Sequence, residues 1–179
     1  DEGEIQLQGP CVMTEYYLEP EKTAETFTPD GWLKTGDKGE IDQDGYVRIT
    51  GRLKDIFKTA KGKYVTPVPI EALLMENPLI EQVCVTGSNL KQPVALLVLT
   101  PEAKTHNASH INASLERTLK QVNSRLESHA VLDHMVVVHD SWSAENGLLT
   151  PTLKVKRHLV EARYQTLLHQ EHTAAVVFQ

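Results

Sequence analysis

Gly39-Glu40-Ile41-Asp42-Gln43-Asp44-Gly45-Tyr46-Val47-Arg48-Ile49-Thr50-Gly51-Arg52-Leu53-Lys54-Asp55 is the stretch on which the reading of the fold turns. Its first half alternates apolar and polar residues about an Asp-Gly pair, the pattern of a two-stranded hairpin with a tight turn. Its second half ends the strand-rich part of the chain in a charged cluster. Upstream, Ile5 and Leu7 alternate with glutamines as another short strand, and residues 21–25 follow Pro20 as a short helix. A piece with so few apolar residues has little to bury and is expected to need a neighbour to pack on.

Downstream the pattern becomes helices alternating with strands. Pro69 to Leu74 predicts a helix opened by proline and stopped by Asn77-Pro78. Residues 82–86 and 94–99 predict strands, the second apolar enough to be buried on both faces. Ile111, Leu115, Leu119, Val122 and Leu126 recur at three- and four-residue spacing, the stripe of a long amphipathic helix. Residues 135–138 predict a further strand. A final helix over 155–169 is expected to turn Leu159 and Tyr164 inward while Lys156, Arg157 and Arg163 stay in water. The expected fold class is α+β, a small domain of helices packed on a short sheet over 52–179, preceded by a strand-rich segment over 1–51.

Composition bounds the function. The 179 residues carry a formal net charge of -6, which argues against a nucleic-acid binder, since such surfaces need Lys and Arg in excess. The longest apolar run is much shorter than the ~20 residues of a membrane span. Cys11 and Cys84 fit no zinc or redox spacing, so no metal site is expected; both read as buried thiols of a cytoplasmic protein. Asp1-Glu2-Gly3-Glu4 enters the first strand without an initiator Met, as a chain cut from something longer would.

Three segments carry chemistry. In Gly31-Trp32-Leu33-Lys34-Thr35-Gly36-Asp37 a carboxylate lies between glycine-rich turns, suited to a pair of ribose hydroxyls or to satisfying its own backbone. In Gly51-Arg52-Leu53-Lys54-Asp55 the planar fork of Arg52 suits phosphate or ribose oxygens, and Lys54 occupies a boundary able to absorb a rotation; the same cluster also suits a solvated face. In Thr150-Pro151-Thr152-Leu153-Lys154-Val155-Lys156-Arg157 a lysine projects from a loop, where it can neutralise charge developing on a phosphate or carboxylate, or begin a solvated helix.

The order of these segments, with Gly9-Pro10-Cys11-Val12-Met13, Thr23-Ala24-Glu25-Thr26-Phe27 and the stretch Gly62-Lys63-Tyr64-Val65-Thr66-Pro67-Val68-Pro69-Ile70-Glu71, resembles the C-terminal third of adenylate-forming (AMP-binding) enzymes over nearly the whole chain. The wording of residues 62–71 and of Leu148 to Arg157 is similar to the long-chain fatty acyl-CoA synthetase branch. The resemblance implies a large N-terminal part that binds ATP, with Mg2+, and the acid, and a small mobile lid that rotates between an adenylating and a thioester-forming pose. It implies nucleotide-binding roles for Asp37 and Arg52, a hinge at Lys54 and a catalytic lysine at Lys154. Lys58, Lys61, Gly62 and Lys63 would lie on a loop lining the channel for CoA. Leu153 departs from the glycine many relatives carry before that lysine, which leaves Lys156 as a competitor.

On this reading the whole protein is an AMP-forming acid–thiol ligase converting fatty acid, ATP and CoA to acyl-CoA, and the fragment alone is inactive with no cofactor bound. Alternatives are an acyl-AMP ligase loading a carrier protein and a non-catalytic module of the same fold. The expected partner is the N-terminal domain of the same chain. Long-chain substrates imply peripheral association with membranes, and exposed strand edges invite self-association.

Overall fold

The computed structural model describes residues 3–179; Asp1 and Glu2, which begin the opening stretch, lie outside the described residues. The chain forms two compact units, Asp1–Lys54 and Asp55–Gln179.

In the first unit, β1 (Glu4–Leu7), β2 (Leu33–Ile41) and β3 (Val47–Arg52) form an antiparallel sheet in that order, with α1 (Pro20–Thr26) between β1 and β2. The β2–β3 turn is held by Asp42: its Oδ1 accepts from the backbone N–H groups of Asp44 and Tyr46, and Gly45 supplies the positive φ of 85°. The ladder slips by one residue between Lys38 and Gly39. A Cβ at Gly39 would stand 2.6 Å from Ile5 Cδ1 and 2.9 Å from the Arg48 carbonyl, so only glycine lets the three strands close here. Every buried apolar side chain among the described residues belongs to the second unit, whereas Leu7, Ile41, Tyr46, Val47 and Ile49 are exposed.

The second unit begins with a hairpin, β4 (Phe57–Lys58) and β5 (Tyr64–Val65), and continues into α2 (Pro67–Leu74). Helix α2 starts two residues earlier than expected, because Pro67 fills the first helical position, where a missing N–H costs nothing. A four-stranded sheet follows in the order β6 (Ile80–Thr86), β7 (Val94–Leu99), β8 (Met135–Val137), β9 (Val176–Phe178), antiparallel between β6 and β7 and parallel thereafter. Helix α3 (Ala108–Asn123) links β7 to β8 and is capped by Asn107, whose side chain accepts from His110 N at 2.7 Å. The sequence pattern gave no signal for β4, β5 or β9, each only two or three residues long.

Alternation along β7 divides the core. Ala95, Leu97 and Leu99 join Val83, Val85, Met135 and Val137 under α2 and α3, where Leu115 and Leu119 meet them. Val94, Leu96 and Val98 face the other way, with Cys84, Val136, Trp142, Val160 and Tyr164. The sheet is therefore covered on both faces, and fully burying each large aliphatic side chain of β7 stabilises the fold by roughly 1.5–3 kcal/mol.

Four expectations are corrected. The final helix is two short ones, α4 (Arg157–Arg163) and α5 (Gln165–Leu168), broken at Tyr164, whose ring is held in the core by Trp142 Nε1 donating to its hydroxyl at 3.2 Å. Leu159 is turned toward solvent, and Arg157 is nearly buried rather than wet. Cys11 is exposed; only Cys84 is buried.

Candidate functional site

Asp37 stands in β2 rather than in a turn, opposite Arg52 of β3. Gly36, at φ 72°, bends the strand just before it, and Thr35 Oγ1 accepts from the Asp37 N–H at 3.1 Å while donating to the Ile5 carbonyl at 2.6 Å. These bonds fix where the carboxylate leaves the sheet. Arg52 Nε lies 3.1 Å from Asp37 Oδ1, so the two residues singled out in separate segments form one pair. The contact runs from one nitrogen to one oxygen, and each group retains hydrogen-bonding capacity for a ligand. Lys54, exposed, is the middle residue of a 3-10 turn, Leu53–Asp55, and the last of the first unit.

In the second unit the loop between β4 and β5 closes on Thr59: its N–H donates to the Lys63 carbonyl at 2.9 Å and its carbonyl accepts from Gly62 N at 2.9 Å. Gly62, at φ 76°, adopts a conformation that side chains avoid. Lys58, Lys61 and Lys63 are all exposed, and the Lys58 ammonium lies 5.6 Å from the centre of the Tyr64 ring. The hairpin is fastened to the unit by Ala60 N donating to the Leu90 carbonyl and Asn89 N to the Lys58 carbonyl.

Lys154 closes a tight loop. Thr150 N donates to the Lys154 carbonyl at 2.8 Å, Lys154 N donates to Thr150 Oγ1 at 3.0 Å, and Leu149 bridges to Val155 beneath. Leu153 sits at φ 60° with its side chain exposed, taking the left-handed conformation that a glycine would adopt more easily. The Lys154 side chain points into solvent, whereas Lys156 is half-buried and precedes α4, its N–H donating to the Leu148 carbonyl at 2.8 Å.

Arg157, the first residue of α4, anchors this loop from behind. Its Nη1 donates to Glu71 Oε1 of α2 at 2.7 Å, to the Val85 carbonyl and to Cys84 Sγ at 3.3 Å; the same Glu71 oxygen accepts from Val85 N at 2.8 Å. Burial opposes the guanidinium charge, but the sulfur of Cys84 and the carboxylate of Glu71 hold it firmly protonated. Burial pushes the Cys84 thiol up to about 12, with Arg157 pulling the other way. Glu71 and Arg157 each end a quoted segment, yet nothing in either segment indicates their pairing across 86 positions.

Comparison with known proteins follows the same outline. Residues 54–174 match the family described as AMP-binding enzyme C-terminal domain. The chain is 35% identical over 92% of its length to long-chain-fatty-acid–CoA ligase FadD15 of Mycobacterium tuberculosis, and 36% identical over 87% to human long-chain-fatty-acid–CoA ligase 6. It spans 30% and 25% of those two proteins. Among solved structures it is similar to the A-PCP didomain of a carboxylic acid reductase from Segniliparus rugosus in complex with AMP, with a TM-score of 0.78, 31% identity, and coverage of 93% of this chain and 24% of that one. The chain belongs to the family of AMP-binding enzyme C-terminal domains and shares its ancestry with adenylate-forming ligases.

Proposed function

We propose that this chain is the C-terminal part of a long-chain fatty acid–CoA ligase, and that the whole protein joins ATP and a fatty acid to acyl-AMP, releasing pyrophosphate, before CoA displaces AMP to give the thioester. The observation that carries this reading is the 35% identity to a long-chain-fatty-acid–CoA ligase over 92% of the chain. Residues 1–51 would complete the large domain, and residues 52–179 would be the lid that turns about Lys54.

In this reaction the substrates supply the nucleophiles, so the protein contributes positioning and charge. Asp37 accepts hydrogen bonds from the ribose hydroxyls, and Arg52 contacts the nucleotide while its pairing with Asp37 keeps both side chains extended from the sheet. Lys154, carried at the tip of the Thr150 loop, stabilises the charge that develops on the α-phosphate and acyl carboxylate. Lys58, Lys61, Gly62 and Lys63 line the approach of CoA. ATP, with Mg2+ to neutralise its phosphates, would be held by the N-terminal part, and the isolated fragment is expected to form no acyl-adenylate. The whole enzyme works in the cytoplasm and at membrane surfaces where its substrates reside.

A second reading, supported by the likeness to the A-PCP didomain, makes the acceptor a thiol on a carrier domain. The test is to follow pyrophosphate release and acyl-CoA formation by the full-length protein with fatty acids of graded length, comparing wild type with Lys154→Ala and Lys156→Ala. Loss of adenylation in Lys154→Ala alone, with the thioester step from supplied acyl-adenylate preserved, is the expected result. Adenylation intact in Lys154→Ala would remove that residue from the mechanism, and acyl-AMP formation without transfer to free CoA would favour the carrier reading.

A further inference from the structure

At the starting ends of β7, β8 and β9 in the second unit, a cleft of about 430 Å³ is lined by Gln92, Asp133, His134 and His172 among others. Three of its polar atoms are buried without a hydrogen-bond partner among the described residues: Gln92 Oε1, His134 Nε2 and His172 Nε2. Unpaired buried polar atoms are costly and uncommon, and three in one cleft call for an occupant.

Two of the three are assigned as acceptors by their neighbours. Asp133 Oδ2 lies 2.9 Å from His134 Nδ1, and a carboxylate can only accept, so Nδ1 carries a proton and, in the neutral ring, Nε2 presents a bare lone pair. Gln92 commits its amide nitrogen to the Ser128 carbonyl at 3.0 Å, which leaves its buried oxygen as an acceptor with no partner among the described residues. The backbone holds this arrangement rigid, with Asp133 N donating to the Pro93 carbonyl, Ala95 N to that of His134 and Met135 N to that of Ala175. His134 is 3% exposed.

The spacing of the rings admits an ion between them. With metal–nitrogen bonds of about 2.0 Å, an ion shared by two imidazoles lies about 3.2 Å from each ring centre and, at a tetrahedral angle, sets the centres about 5.1 Å apart. The His134 and His172 centres are 4.9 Å apart and inclined at 65°, an edge-to-face pair whose spacing also accommodates such an ion. A carboxylate on the far nitrogen of a ligating histidine is the usual outer support of such a site. No three His, Cys, Asp or Glu side chains are gathered for a metal among the described residues, and here the third donor is an amide oxygen.

We propose that His134 Nε2, His172 Nε2 and Gln92 Oε1 form a site for a divalent first-row transition ion of the zinc class, with Asp133 orienting His134 and solvent completing the coordination. The ion fastens the segment before β9 to the start of β8, a structural role separate from the ligase reading.

The test titrates the full chain with Zn2+ by calorimetry and with Co2+ by absorption. One ion per chain with micromolar affinity and intense visible Co2+ bands is expected, with His172→Ala abolishing the bands and Asp133→Asn weakening binding about 10–100-fold. His172 is only half-buried and outside the core clusters, so its replacement leaves the fold intact, to be checked by circular dichroism. His106 and His110, whose ring centres are 5.0 Å apart on the surface, provide the control: the double alanine variant should bind as wild type does. Millimolar binding only, retention of the Co2+ bands in His172→Ala, or their loss in the His106/His110 variant would each overturn the proposal.

Discussion

Arg157 Nη1 lies 2.7 Å from Glu71 Oε1, with the two side chains only 12% and 17% exposed, so an ion pair ties α4 to α2 across β6. Removing one member of a buried pair strands the other, at a cost of roughly 3–5 kcal/mol. Arg157→Ala is therefore expected to lower urea stability by about 3 kcal/mol, at the low end because water still reaches the pair. Glu71→Gln, which keeps an acceptor for Val85 N, should cost less. In a double-mutant cycle the two losses should fall well short of additive.

Leu153 immediately precedes Lys154 and adopts φ 60°. A left-handed conformation costs a non-glycine residue about 1–2 kcal/mol, partly offset by the larger chain entropy a glycine loses on folding. Leu153→Gly should raise stability in denaturant by up to about 1 kcal/mol, whereas Leu153→Val, stiffer at its branched Cβ, should lower it by a similar amount. Equal stability of the two variants would mean that the loop readjusts its backbone.

Asp37 and Arg52 form a pair at the surface, the arginine side chain 54% accessible and the carboxylate half-buried at 23%. Such a pair contributes at most about 1 kcal/mol, so Asp37→Ala and Arg52→Ala should both melt close to wild type. If they serve the nucleotide, the same substitutions in the full-length protein should raise the KM for ATP without loss of fold. A large drop in melting temperature would instead make the pair structural.

Cys11 is exposed and Cys84 is sealed between β7, α4 and the Glu71–Arg157 pair, its thiol pushed up to about 12 by burial. A thiol-selective reagent near neutral pH should modify one cysteine in the native chain and both after denaturation. Modification of two thiols in the folded chain would contradict the packing around Cys84.

Asp140 accepts from Arg163 Nη2 at 2.7 Å and Nε at 3.2 Å, and this hydrogen bonding holds its carboxyl below the ordinary 3.8. A carboxyl with a depressed folded value binds fewer protons folded than unfolded, so its contribution is complete above about 3.8 and lost as pH falls through the folded value. Melting followed from about pH 6 to about pH 3 should show a small excess of wild type over Asp140→Asn that shrinks toward the acid end. An excess that persists there undiminished would assign the effect to packing.

The sequence by itself determined the elements whose patterns are local. The Asp44-Gly45 turn, the proline opening α2, the α3 stripe of Ile111, Leu115, Leu119 and Val122, and the uniformly apolar β7 are all written in neighbouring residues, because turn chemistry and periodicity act over a few positions. The motifs containing Asp37, Arg52 and Lys154 stand in the sequence as short contiguous stretches, but the roles expected of them come from the family resemblance and not from turn chemistry or periodicity. Tertiary structure decided what depends on distant partners. Strands of two or three residues, such as β4 and β9, exist only because a neighbour completes their hydrogen bonds. The helix break at Tyr164 carries no local signal, and the burial of Arg157 follows from a carboxylate 86 positions away. The convergence of Gln92, His134 and His172 has the same origin: a parallel β8–β9 pair brings together residues 38 positions apart, and no local pattern records which polar atoms such a closure leaves unpaired.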